Sequence, residues 1–205
     1  MITNNQMTKK SRQGGFTLVE IAIVLVIIGL ILGGVLQGQT MIENAKYKKF
    51  SKEIDSYRAA FHTFQDMHGG LPGDLNNVTS LDAAATAGNG NGQIAGGYCS
   101  AANEEACLVW SHLRYAELIP GDPTLTDTTA IPSHAYGGPV SSFSTGNWGN
   151  GVTEHKVLIQ SVPGDAAQRY DNEHDDGDAT TGNITRYGGS GSSYSDALQN
   201  LMIAL

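Results

Sequence analysis

The chain has 205 residues, 40% of them hydrophobic and 16% charged, with a formal net charge of -8, two cysteines and 26 glycines. That length predicts one domain with appendages and not a string of domains. From Gly69 onward 15 carboxylates face four basic residues, a balance of -11. A surface so acidic repels phosphate backbones, which disfavours a nucleic-acid-binding role for this part of the chain.

The first element in chain order is apolar. From Phe16 to Leu36 (FTLVEIAIVLVIIGLILGGVL) the only charge is Glu20. These 21 positions reach roughly 31 Å as a helix, close to the hydrocarbon thickness of a bilayer, so the segment is expected to span a membrane. It is longer than the core of a secretory signal peptide and has no small-x-small pattern at its end, so the run should be retained as an anchor. A carboxylate inside such a run is costly and marks a functional position, unless it snorkels to the headgroups from one turn inside. Gly29, Gly33, Gly34 and Gly38 either let helices approach closely or reflect the frequency of glycine in membrane helices.

Gly14-Gly15-Phe16-Thr17-Leu18-Val19-Glu20, preceded by Lys9, Lys10 and Arg12, resembles the cleavage and methylation motif of the type IV pilin-like superfamily, which includes type IV pilins and type II secretion pseudopilins. The resemblance covers Gly14 to roughly Gly34. It implies that a prepilin peptidase cuts after Gly15 and N-methylates Phe16, and that Glu20, then the fifth residue, neutralises the terminal ammonium of a neighbouring subunit. A charge buried in a helix bundle is tolerable when it is paired in this way. The implied divisions are a leader at 1–15, a membrane and filament-core helix at 16–41, its amphipathic continuation at 42–68 and an exported head at 69–205. The implied partners are the peptidase, copies of the chain or related subunits, an inner-membrane assembly platform and the membrane itself. The head would lie in the periplasm before assembly into a filament. One departure is the absence of the family's late helix-breaking proline, where Gln37 stands.

The helix is expected to continue. Tyr47, Phe50, Ile54, Tyr57, Phe61, Phe64 and His68 alternate spacings of three and four, one stripe of a helix that needs a cover. Gly69-Gly70 and Pro72 stop it. Leu71-Pro72-Gly73-Asp74 reads as a turn, and Asn89 to Gly97 as a glycine-rich loop without the lysine of a phosphate cradle. Glu104 to Ile119 reads as a second helix closed by Pro120-Gly121. Cys99 and Cys107 read as one disulfide in an oxidising compartment; a metal or redox pair is the lesser reading, since the spacing is not CxxC.

Short strands are expected around Ala135-Tyr136 and Val140 to Phe143, a longer one over Val152 to Val162 and another over Asn183 to Tyr187. Ser193 to Leu205 should be an amphipathic helix, with Leu198, Leu201, Met202 and Leu205 on one face. It would pack on its own head or dock another subunit. The fold class is therefore α+β: a long N-terminal helix packed against a small antiparallel-sheet head with additional short helices.

Asp171, Glu173, Asp175, Asp176 and Asp178 form the densest charge cluster. Asp171, Asp175, Asp176 and Asp178 invite calcium, although the twelve-residue calcium-loop pattern fails. The structural alternative is a helix from about Ala166, capped at Asp165 and ending at Gly177. The six histidines lack HExxH spacing and no GxSxG elbow occurs, so the expectation is a non-enzymatic subunit without an established cofactor. The rival is an exported binding or hydrolytic protein merely tethered by its N-terminus.

Overall fold

The computed structural model describes residues 15–142, 144–147, 153–189, 191–195 and 197–205. Residues 1–14 of the expected leader, and Phe143, Val152 and Asp196 of the expected elements, lie outside them. Helix α1 runs Leu18–His68. Its stop is Gly69, whose φ of 66° is left-handed and whose N–H closes on the Gln65 carbonyl at 2.8 Å. Contacts divide the chain into two compact units after Asn44.

The first unit is the apolar part of α1, where the large side chains are exposed. The second, Ala45–Leu205, is α+β. It holds the amphipathic part of α1, helices α2 (Glu105–Tyr115) and α3 (Gly164–His174), and strands β1 (Val140–Ser142), β2 (Thr145–Asn147), β3 (Thr153–Val162), β4 (Ile184–Arg186) and β5 (Gln199–Ala204). The sheet is antiparallel in the order β1-β3-β5-β4, and β2 pairs with the first half of β3. The long apolar helix thus packs its second part against a small antiparallel sheet with short additional helices.

The aromatic stripe explains this packing. Tyr47, Phe50, Ile54, Phe61 and Phe64 are buried, joined by Ala60. Phe50 meets His134, Tyr136 and Tyr170 edge-on at 5.3, 5.5 and 5.6 Å, and Tyr57 meets the fully buried Trp110 at 5.4 Å. From the sheet, Val157 and Ile159 of β3 and Leu201 and Ile203 of β5 enter the same core. Burying each such side chain contributes about 1.5–3 kcal/mol, enough to make this face the organiser of the unit. Helix α3 is clasped to α1 at Tyr47, whose hydroxyl donates to Glu173 at 2.5 Å while the Arg169 guanidinium lies 3.8 Å above its ring.

Several expectations need correction. The C-terminal segment is strand β5 and not a helix. Leu201 to Ala204 are all buried whereas Leu198 is 66% exposed, so burial follows a continuous run inside the sheet and not one helical face. A short apolar run does not distinguish these by periodicity; here β3 and β4 each need a pairing partner, and β5 lies between them. Ala135-Tyr136 sits in a turn bracketed by a bridge between Ser133 and Pro139. Helix α2 stops at Tyr115, four residues before Ile119. Helix α3 starts at Gly164 with Pro163 at its N-cap, leaving Asp165 in the first turn, and its C-cap is Asp175, two residues before the left-handed Gly177.

The loops are fastened by carboxylates. Asp74 accepts from the amides of Asn91 (3.0 Å) and Gly92 (2.8 Å), Glu105 from those of Asn89 (3.0 Å) and Ala95 (2.8 Å), and Glu104 from those of Ser100 (2.7 Å) and Ala101 (3.0 Å). The Leu71–Asp74 turn wedges against α2: Gly73 has φ 89°, and a Cβ there would meet the Glu105 carbonyl oxygen at 2.5 Å. Cys99 and Cys107 are bonded, with Cα atoms 4.7 Å apart, which ties the loop to the first turn of α2. Removing this closure in Cys99→Ser/Cys107→Ser should cost roughly 2.5 kcal/mol by loop entropy, measured as a lower urea midpoint.

Two buried histidines hold loops as neutral rings. His112 accepts the Gly73 N–H on Nδ1 (2.9 Å) and faces the Thr86 carbonyl with Nε2 (2.8 Å); His134 accepts the Tyr136 N–H on Nδ1 (3.2 Å) and faces the Gln160 carbonyl with Nε2 (2.8 Å). Burial lowers the pKa of both below the usual 6.5. The unfolded chain therefore binds protons that the folded chain resists. The stability these rings lend is complete above about pH 6.5 and is lost as the pH falls toward their depressed folded values, by at most about 1.4 kcal/mol per pH unit each. Urea midpoints taken between pH 7.5 and 5.5, above the range where carboxylates titrate, should fall with acidification.

Candidate functional site: the N-terminal motif and its helix

Gly15, Phe16 and Thr17 precede α1, and Phe16 is 84% exposed. The start of the helix follows from Thr17-x-x-Glu20, a pattern in which two side chains satisfy each other's orphan amides. The Thr17 N–H and hydroxyl both donate to Glu20 Oε2 at 2.8 Å, and the Glu20 N–H donates to Thr17 Oγ1 at 3.2 Å. Glu20 is therefore a local cap as well as an exposed acid. This role was legible in the four residues, which form a capping box, and the sequence reading missed it.

From Ile21 to Leu36 the helix carries no charged or polar side chain. Its most apolar window has a mean hydropathy of 2.9 with none of it buried, and it is long enough to cross a membrane. Leu25, Leu30 and Leu36 are each more than 60% exposed.

The acidic cluster sits at the other end of the chain's chemistry. Asp171, Asp175 and Asp176 each place a carboxylate oxygen within 4.8 Å of the others, a set that could coordinate a metal ion; Asp178 is not part of it. Five of the six oxygens accept hydrogen bonds. Asp171 takes the Gly177 N–H (3.2 Å) and the Tyr194 hydroxyl (2.8 Å), Asp175 Oδ2 takes the amides of Asn183 (2.5 Å) and Ile184 (2.8 Å), and Asp176 takes the Asp178 N–H (2.9 Å) and the Thr181 hydroxyl (2.6 Å). Burial raises the Asp171 pKa, opposed by its two donors, whereas the Thr181 hydroxyl and then the Asp178 amide lower that of the exposed Asp176. Asp178 itself accepts from the Thr180 N–H (3.0 Å) and hydroxyl (2.7 Å). These bonds join the end of α3 to the start of β4.

Comparison with known families agrees with the N-terminal reading. Residues 10–36 match the model of the prokaryotic N-terminal methylation motif. No curated protein and no solved structure matches the chain. The chain carries an N-terminal prepilin-type methylation and cleavage motif, consistent with the type IV pilin and pseudopilin superfamily.

Asp175→Ala should strand the Asn183 and Ile184 amides and cost about 1–3 kcal/mol whether or not a divalent ion is present. Thermal melts with EDTA and with millimolar calcium check this: a cost that appears only with calcium would mean that the carboxylates act through an ion.

Proposed function

We propose that the chain is a structural subunit of a type IV pilus or a type II secretion pseudopilus. The observation that carries this reading is a prepilin-type motif over residues 10–36 that runs into the exposed apolar part of α1. A prepilin peptidase removes residues 1–15 and methylates Phe16. The apolar part of α1 rests in the inner membrane and then bundles with its neighbours, delivered by an assembly platform. Glu20 pairs with the Phe16 ammonium of an adjoining copy, which offsets the cost of burying either charge. The head lies outside the cytoplasm, in keeping with the Cys99–Cys107 bond. Its surface, not a catalytic centre, is the functional product.

The acidic cluster is a turn lock in this reading. Calcium is the second reading, favoured by the close approach of three carboxylates in an all-oxygen set. A tethered binding or hydrolytic protein remains the rival outcome of the test.

Intact mass of the protein from its native membrane should correspond to a chain starting at methylated Phe16; an uncut chain would refute the reading. Glu20→Gln and Glu20→Ala then separate the two roles of the acid. Glutamine keeps an acceptor for the Thr17 box and removes the charge, while alanine removes both. Both variants should be cleaved normally and fail to enter filaments. Incorporation of Glu20→Gln at the wild-type level would show that capping suffices and that the charge pair is not needed.

A further inference from the structure

The glycine-rich loop of the second unit opens with two Asn-Gly pairs in succession, Asn89-Gly90 and Asn91-Gly92, and all four residues are exposed. Such a pair is chemically labile, because glycine has no side chain to shield its backbone nitrogen from the preceding carboxamide. The deprotonated nitrogen attacks the carboxamide carbon Cγ, and the new C–N bond closes a cyclic imide. The carboxamide nitrogen and the backbone proton leave as ammonia. Water then opens the imide at either carbonyl and yields aspartate or isoaspartate, so solvent is the only co-reactant.

In this fold both attacking nitrogens are held away from that chemistry. The Gly90 N–H donates to the Asp74 backbone carbonyl at 2.8 Å, and the Gly92 N–H donates to Asp74 Oδ2 at 2.8 Å. The other oxygen of the carboxylate accepts the Asn91 N–H at 3.0 Å. The carboxamides are occupied too: Asn91 Oδ1 accepts the Gln93 N–H at 2.8 Å, and Asn89 Oδ1 accepts the Asn91 N–H at 3.0 Å. Asp74 is itself only 3% exposed.

The two holds differ in kind. Gly90 keeps its proton through one ordinary bond to a neutral carbonyl. Gly92 keeps its proton through a charge-assisted bond, and an amide anion developing there would be repelled by the carboxylate beside it. A bond of that class is worth roughly ten- to a hundredfold in the population able to react.

We propose that Asn91-Gly92 is a latent covalent modification site, silent while the Asp74 carboxylate holds the Gly92 N–H and converted to aspartate or isoaspartate once the loop lifts off. Local opening starts the event, and the chemistry makes it permanent. Conversion places a new carboxylate beside Asp74 and, as isoaspartate, adds a methylene to the backbone, so the loop no longer matches its latch. The open cavity of about 540 Å³ that Asp74, Asn76, Gly90 and Gly92 help to line loses a wall with it. Neither the membrane helix nor assembly enters this chemistry.

The test is peptide mapping by mass spectrometry of the full-length chain in detergent at mildly alkaline pH, with conversion read separately at Asn89 and Asn91. Asn150-Gly151, which lies outside the described residues, is mapped apart from both. Both sites should convert more slowly in the folded chain than in guanidinium chloride, with Asn91 the better protected. Asp74→Asn, which keeps the side-chain volume and removes the charge, and Asp74→Ala should each speed Asn91 roughly tenfold or more. Neither removes the backbone carbonyl that holds Gly90, so Asn89 should change far less; near-UV circular dichroism verifies that the variants are folded. An Asn91 rate that folded Asp74→Asn leaves unchanged or lowers would overturn the proposal, the latter by showing the carboxylate to be a base and not a guard. Equal acceleration at both asparagines would also overturn it, since a loop loosened as a whole needs no guard on Gly92. Should neither variant fold, the unsubstituted chain decides: protection at Asn91 no greater than at Asn89 would sink the idea.

Discussion

Fifteen large apolar side chains between Phe16 and Leu36 each expose at least 46% of their surface. Water is the wrong solvent for such a surface, at about 25 cal/mol for each Å² left wet. The segment is long and apolar enough to cross a membrane, and a hydrocarbon setting changes the value of its one charge. In water Glu20 could remain a simple cap. In hydrocarbon a carboxylate without a counter-charge is several kcal/mol out of place, so the charge pairing proposed for Glu20 would act on the same side chain that starts the helix.

The rest of the chain solves a different problem, that of giving the second part of α1 a cover. The five stripe residues from Tyr47 to Phe64 provide the core side of the helix, and sheet and helices collect around them. Because the head is small and rich in loops, much of its order comes from carboxylates and neutral histidines that satisfy backbone groups. Asp74, Glu104, Glu105, Asp175, His112 and His134 all act in this way. An acidic head is in this sense a consequence of how its turns are held. A carboxylate offers two strong acceptors with little bulk, and the chain uses them where regular pairing ends.

The helical parts were legible because they rest on local periodicity. The α1 stripe, its glycine stop and the second helix all follow from spacing that the backbone itself imposes. Strand β3 was legible for the same reason. The tail was misread because Leu198, Leu201, Met202 and Leu205 fit a helical face by number, while the deciding fact is the empty pairing edge between β3 and β4, a property of the assembled sheet. Of the candidate site, the motif that contains Gly15, Phe16 and Glu20 could be read directly, and so could the Thr17 partner of Glu20 in principle.

The described outer strands are very short. Strands β1, β2 and β4 have three described residues each, and the longest described strand, β3, has neighbours on both sides. A long, bare margin would invite heads crowded on a membrane to zip together through their backbones, a route to irreversible clumping. Short margins, as in the described residues, narrow that route. Under the filament reading proposed above, copies would meet through their greasy stems instead, where contact can be governed by a single ionised group.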